Sequence, residues 1–334
     1  MTQTTPQARQ VTPTTPSVTA PPPMATTPDA TAEPAVHVAG LRRTYPGHTG
    51  LHQLDLTVPA GSLTALIGPN GSGKTTTMRL LLGLDQPEAG TGTVLGSPLN
   101  HPARYLPQVG ALIEQPALYP QLTGRKNLRV LAELAGLGDD HIHRALSRTG
   151  MEQQADRPVA TYSLGMRQRL GIAVALLTEP RLLILDEPTN GLDPVGTAQL
   201  RELLRSLTSD GTTVLISSHQ LNELDAICDH FVFLYQGATL FQGDRNALAA
   251  SQHSSIEAAP ERKDQLTALT SAFTEAGYDV RRHEDRLLVD TAAEHAGELN
   301  RTAAAHGITL SHLTVRRPTL EEAFFSLLRQ ESQC

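Results

Sequence analysis

Lys74 and Thr75 close the run Gly68-Pro69-Asn70-Gly71-Ser72-Gly73, and 112 positions beyond Lys74 the aliphatic run Leu182 to Leu185 ends in Asp186 and Glu187. Residues of these types can bind and cleave a phosphoanhydride. Glycines at 68, 71 and 73 let backbone N–H groups converge on a pyrophosphate where side chains would block the approach, and a helix starting after the loop adds its positive N-terminal dipole. The Lys74 ammonium is expected on the β and γ phosphates, the Thr75 hydroxyl on Mg²⁺, and the Thr76 hydroxyl on an α or β oxygen. Asp186 is the expected second holder of Mg²⁺, and Glu187 is placed to polarise an attacking water. His219, at a later strand end, stands where it could sense a γ phosphate or could be structural. Together these residues call for ATP or GTP with Mg²⁺.

Positioning them requires an α/β fold. SLTALI before the glycine loop is apolar and β-branched, TTMRLLLGL after it is apolar at helical spacing, and Leu182 to Leu185 reads as a buried parallel strand. Carboxylates at the carboxyl end of such a strand lie on the ligand side of the sheet. Val36 to Ala60 alternates short strand-like runs with turn signals at Pro46-Gly47 and Pro59-Ala60-Gly61, predicting a small antiparallel sheet that leads into the loop. Tyr45 within it reads by itself as a core aromatic. The long interval between Lys74 and Asp186 predicts a helical insert at about 115–178, with NLRVLAELAGL and HIHRALSRTG at helical spacing. A further helix follows Ser163, which could serve only as its N-cap, with Leu170, Ala173, Val174 and Leu177 on one face. A helix over Thr197 to Leu207 and a strand over Thr212 to Ser217 complete the core.

Composition narrows the partners. Of 334 residues with net charge −7, none form a basic run or a basic-aromatic alternation, so nucleic acid is not expected. Cys228 and Cys334 are too few for a disulfide framework or a metal site, which fits a reducing compartment. Residues 1–35 are rich in Thr, Pro and Ala and are expected to be disordered, without the apolar core of a signal peptide. No stretch offers the ~18 apolar residues a membrane span needs.

In order, these pieces resemble the ATP-binding subunit of an ATP-binding cassette (ABC) transporter over about Val36 to Asp244. GPNGSGKTT is similar to the Walker A loop, LLILDEP to the Walker B strand, YSLGMRQRL to the signature, Asn190 to Asp193 to the D-loop, and His219 to the switch histidine. The resemblance implies a P-loop NTPase core over 36–245, carrying the antiparallel β subdomain and the helical insert. It implies that Tyr45 stacks on adenine. Ser163 and Gly165 would contact the γ phosphate held by a second copy in a head-to-tail dimer, with Asp193 in the D-loop. A separate membrane-spanning permease would bring the chain to the cytoplasmic face of the plasma membrane. Two positions depart from the family pattern. Glu114 stands where the Q-loop glutamine is usual, beside Mg²⁺ and the attacking water, whereas Gln108 lies too far upstream. Leu164 and Met166 replace a glycine and a glutamine of the signature. Both departures resemble the bacitracin and lantibiotic exporter branch, which implies ATP-driven export of an antibiotic or other amphiphile.

Residues 256–334 alternate helix-like and strand-like runs and are expected to form an α+β accessory domain for packing or dimer support. Its final PTLEEAFFSLL resembles the C-terminal extension of drug-exporter ATPases. Two other readings are weaker. A soluble ABC protein acting on ribosomes or DNA would carry a second cassette or a long coiled-coil insert, and a non-catalytic ATP-binding module would not need Lys74, Asp186, Glu187 and His219 together.

Overall fold

A computed structural model describes residues 33–47, 49–114, 116–218, 227–250, 255–316 and 319–331. The expectations for most of the N-terminal tail, for His219 and for Cys334 lie outside the described residues.

The parallel core follows from runs apolar on both faces. β3 (Leu63–Ile67), β7 (Leu182–Leu185) and β8 (Thr213–Ser218) are buried at every position. Continuous burial suits strands covered on both sides. β3 pairs parallel with β8 and with β9 (His230–Tyr235), β8 with β7, and β7 with β6 (Val109–Leu112). β10 (Ala238–Asp244) runs antiparallel to β9 and joins the core to the N-terminal strands through one parallel bridge, Ala238 to Gln53.

On the far side of that bridge lies the expected antiparallel sheet. β1 (Val36–Tyr45) pairs with β2 (Thr49–Val58) and with β4 (Ala89–Val94), and β5 (Ser97–Pro98) closes the edge. β1 buries Val36, Val38 and Leu41 while exposing alternate residues, as a one-faced strand must. The expected tail ends in contact with this sheet: Ala35 is buried and its N–H donates to the Val58 carbonyl.

α1 (Lys74–Leu81) follows the glycine loop, and three helices stand between β6 and β7: α2 (Gly124–Leu134), α3 (Asp139–Arg148) and α4 (Leu164–Ala175). Their inner faces meet in one core through Leu128, Ala132, Ile142, Leu146, Leu170 and Ala173. α5 (Pro194–Ser209) lies between β7 and β8, capped by the Asp193 carboxylate, which accepts from the Gly196 N–H at 2.8 Å.

After α6 (Arg245–Ala250) comes a second, four-stranded sheet ordered β12-β13-β11-β14, all antiparallel. Its elements are β11 (Ser255–Pro260), α7 (Leu266–Glu275), β12 (Asp279–His283), β13 (Arg286–Asp290), α8 (Ala296–Ala305) and β14 (Leu310–Arg316). This is a split βαβ repeat with its own core of Ile256, Leu269, Phe273, Leu287, Val289 and Leu299. The last helix, α9 (Leu320–Glu331), falls within the 256–334 span expected to form this accessory unit. Its apolar face is instead buried in the first core, where the Phe324 ring meets Phe233 edge-on at 5.5 Å. Phe324→Ala is expected to destabilise the first core by about 3–4 kcal/mol, measured as a lower urea midpoint at unchanged slope.

Candidate nucleotide site

Parallel pairing places the carboxyl ends of β3, β8, β7 and β6 side by side, and the chemistry-bearing residues follow those ends. The registers put Ile67 opposite Ser218, Leu185 opposite Ile216 and Leu112 opposite Leu185, so the glycine loop, Asp186 and Glu114 share one edge.

Glycine is required in the loop for two reasons. Gly73 caps α1 at φ 106°, the left-handed region, and a β-carbon on Gly68 would lie 2.4 Å from the Leu234 carbonyl oxygen. No side chain caps α1 and no acid stands in its first turn, which leaves the helix N-terminus free for an anion. A depression of about 220 Å³ opens over it, lined by Tyr45, Asn70, Gly71, Gly73, Lys74, Thr75, Thr76 and Glu187. Pro69 and Ser72 shape the loop: the Ser72 N–H donates to the Pro69 carbonyl at 3.1 Å.

Lys74 is 6 % exposed, and its ammonium donates to the Gly68 carbonyl at 2.8 Å and pairs with the Glu187 carboxylate at 3.4 Å. The Thr75 hydroxyl donates to Asp186 Oδ2 at 2.7 Å, and the Ser217 hydroxyl donates to Asp186 Oδ1 at 2.5 Å. Ser217 Oγ also accepts the Glu187 N–H at 2.8 Å. Glu187 has φ 45°, a conformation that costs a glutamate about 1–3 kcal/mol and that these contacts hold in place. Thr75 and Asp186 therefore set two hard oxygen donors side by side beneath the loop, a donor set that suits Mg²⁺.

Tyr45, at the end of β1, lines the depression, and its hydroxyl donates to Asp85 Oδ2 at 2.5 Å. That hydrogen bond, with the Arg43 guanidinium beside it, holds the Asp85 carboxyl below the usual carboxylate range.

The ABC transporter family profile matches residues 51–190, the span from β2 through Walker A and Walker B. Over 298 residues, 88 % of the chain, it is 35 % identical to the ABC transporter ATP-binding protein YdbJ of Bacillus subtilis, covering 95 % of that protein. This chain is an ABC transporter ATP-binding protein. The bacitracin transport ATP-binding protein BcrA of Enterococcus faecalis is 33 % identical over 89 % of the chain and 97 % of its own length. The lantibiotic transport ATP-binding protein SrtF of Streptococcus pyogenes is 40 % identical over 61 % of the chain and 89 % of its own. Among solved structures, an ATP-binding subunit of an ABC transporter superposes with TM-score 0.58 at 32 % identity, over 65 % of this chain and 92 % of that one. CbiO1 of Clostridium perfringens, part of the transporter complex CbiONQ, gives 0.60 at 26 %, over 74 % and 98 %. The family binds ATP and hydrolyses it to drive transport, and so does this member. The α/β P-loop core expected from the sequence is the fold these structures share.

In this ABC protein the remaining expected residues lie beside the nucleotide depression rather than in it. A second depression is lined by Thr75, Glu114, Leu164, Gln168, Asp186, Glu187, Asn190 and Gly191, which joins the Q-loop, signature and D-loop positions. Glu114 follows β6 at φ 61°, with its carboxylate 70 % exposed and 3.9 Å from the Arg79 guanidinium. Gln108 sits at the opposite end of β6, where it accepts from Arg181 at 3.2 Å. Ser163 caps α4 by accepting from the Met166 N–H at 3.3 Å, so the N-cap reading of this serine holds. Leu164 is 41 % exposed and leans on the D-loop: a β-carbon on Gly191 would lie 2.6 Å from it. Asp193 is occupied in capping α5, and neither it, Ser163 nor Gly165 lines either depression.

Sequence reasoning missed Ser217, Arg43, Asp85 and Gln168. Ser217 sits two residues before His219 at a strand end, a position worth inspecting beside any metal-binding carboxylate. Asp85 carries no local signal, because its partner Tyr45 is 40 positions away in the chain.

Proposed function

We propose that this chain is the ATP-hydrolysing subunit that powers export of an antibiotic or other amphiphile through a separate membrane-spanning permease. It works at the cytoplasmic face of the membrane as a head-to-tail pair. The observation that carries the catalytic part is the gathering of Lys74, Thr75, Asp186 and Glu187 on one sheet edge. The transport cargo rests on BcrA and SrtF, whose names specify bacitracin and lantibiotic transport, and on BcrA being matched along nearly its whole length. Among the described residues no helix is long and apolar enough to cross a membrane.

The loop amides and the α1 N-terminus take the phosphates, and Tyr45 offers its ring to adenine. Thr75 and Asp186 would hold Mg²⁺, which supplies charge neutralisation at the β and γ phosphates. Lys74 leaves Glu187 for the phosphates, and the released carboxylate orients the attacking water and accepts its proton. His219 is assigned to the γ phosphate, a role that falls on a residue outside the described set. The exposed N-terminus of α4, with Ser163 and Gly165, suits the γ phosphate of a second copy, beside its Asp193.

Glu114 is the coupling position in this reading. Ionised, it accepts but does not donate hydrogen bonds, and it adds negative charge near Asp186 and Glu187. Glu114→Ala is expected to keep ATP affinity within about twofold while separating hydrolysis from export, and Glu114→Gln to be better tolerated. Nucleotide affinity, ATPase rate with the permease present, and drug resistance of cells carrying each variant test this. Normal export by Glu114→Ala would make the residue a bystander. The whole proposal is tested by co-expressing the chain with the membrane protein encoded beside it: ATP-dependent efflux of a cationic peptide antibiotic supports it, and permease-independent turnover without efflux overturns the transport assignment.

A further inference from the structure

The end of β1 is gripped by two carboxylates from the loop that leaves α1. Asp85 takes Arg43 through both oxygens, Nε at 3.1 Å and Nη2 at 2.9 Å, and accepts the Tyr45 hydroxyl at 2.5 Å. Glu88 accepts from the Thr44 N–H at 3.1 Å and from its hydroxyl at 3.0 Å, and pairs with Arg42 at 3.3 Å. The Glu88 N–H returns to the Arg42 carbonyl at 2.8 Å. Four consecutive residues, Arg42 to Tyr45, are thus held by one loop.

The arrangement exceeds what a strand end needs. β2 already pairs with β1 as far as Tyr45 opposite Thr49, and β4 pairs with it as far as Arg42 opposite Ala89, so backbone pairing holds the strand to its end on the β2 side. The side-chain bonds fix the ring instead. A phenol hydroxyl bonded to a carboxylate, itself held bidentate by a guanidinium, removes the free rotation of the Tyr45 side chain. The Arg43 guanidinium carbon lies 5.3 Å from the ring centroid and covers one face. The ring still lines the nucleotide depression, where it can take a base. Asp85 is also four residues past Leu81, the last residue of α1, whose first residue is Lys74. About 12 Å of helix therefore joins the phosphate-binding lysine to the anchor of the ring.

We infer that Asp85, with Arg43 and Glu88, is a positioning residue for the base of ATP: it locks Tyr45 as a preformed stacking platform and ties that platform to the phosphate-binding helix. The inference rests on the proposed stacking role of Tyr45. Preorganisation of this kind acts on affinity, because a ring already held in place loses no rotamer freedom when the base arrives. It leaves the hydrolytic step alone.

The test compares KM and kcat for ATP with the inhibition constant of tripolyphosphate, which has no base, in the full chain. Tyr45→Ala is expected to raise KM for ATP by about tenfold, the scale of one lost base stack. Asp85→Ala and Tyr45→Phe are each expected to raise it about threefold to fivefold, with kcat and the tripolyphosphate constant within twofold of the parent. Tyr45→Phe keeps the ring and removes only the anchored hydroxyl, so it remains informative if Asp85→Ala folds poorly. Asp85→Asn, whose amide oxygen still accepts from Tyr45, should recover part of the loss, and adding Asp85→Ala to Tyr45→Ala should cost nothing further. The inference is overturned, with stacking intact, if Tyr45→Ala raises KM while Tyr45→Phe and Asp85→Ala do not. It is overturned equally if Asp85→Ala weakens tripolyphosphate as much as ATP, since that marks a general structural effect. An unchanged KM in Tyr45→Ala would overturn the stacking role and this inference together.

Discussion

Glu187→Gln is expected to lower steady-state ATP turnover by about 10²–10⁴-fold while ATP stays bound, because the amide cannot accept the proton of the attacking water. Two features of the site make the effect specific to chemistry. The Glu187 backbone is held by its N–H bond to Ser217 Oγ, and this bond and the φ of 45° are independent of the side-chain charge. Asp186 keeps its own partners, Thr75 and Ser217, so the oxygens proposed to hold Mg²⁺ stay in place. With hydrolysis blocked and nucleotide retained, the pair closed around ATP should accumulate. Size-exclusion chromatography of this variant at saturating ATP and Mg²⁺ should show a dimer that the turning-over parent does not hold. A monomer under those conditions would count against the composite site made with Ser163 and Gly165.

Lys74→Ala is the second large effect, with turnover falling by about 10³-fold or more and ATP affinity falling with it. The ammonium is nearly buried, and among the described residues that line the nucleotide depression it is the single cation. The phosphates would then meet the loop amides and the Glu187 carboxylate without a neutralising charge. The two variants separate by their binding: Glu187→Gln retains ATP, whereas Lys74→Ala loses it. Isothermal titration with ATP distinguishes them, and unchanged turnover in Lys74→Ala would show that the loop is not the active site.

Both variants bear on the resting state as well. The ion pair of Lys74 and Glu187 spans 3.4 Å and joins the phosphate ligand to the base. In the proposed mechanism nucleotide separates them, which makes phosphate binding and release of the base one event.

How far the sequence carries the argument depends on the range of each interaction. GPNGSGKTT and LLILDEP were legible because their geometry is local: glycines set a turn, a helix begins at the next residue, and an aliphatic run ends in carboxylates. The helix over Leu170 to Leu177 was legible for the same reason, since its period is written in consecutive residues. β9 and β10 went unread because HFVFLY is a short apolar run without period, which strand and buried helix share. The stretch that forms the helix Leu320–Glu331 is expected from the sequence within the accessory unit of 256–334, yet it packs on the first core. Its apolar stripe demands burial without naming what buries it, and only packing against Phe233 decided that.

The sequence by itself determined the family, and it singled out the residues proposed to hold phosphate and metal and to serve as base. Those identities reside in side-chain types within a few positions of one another. The tertiary structure alone decided that Ser217 braces both Asp186 and Glu187, that Lys74 pairs with Glu187, and that Asp85 anchors Tyr45. Each of these joins residues 30 or more positions apart, through the parallel registers of β3, β8 and β7 or the return of the chain after α1 to the end of β1. Local pattern carries no record of such contacts, because they exist only once the strands have paired.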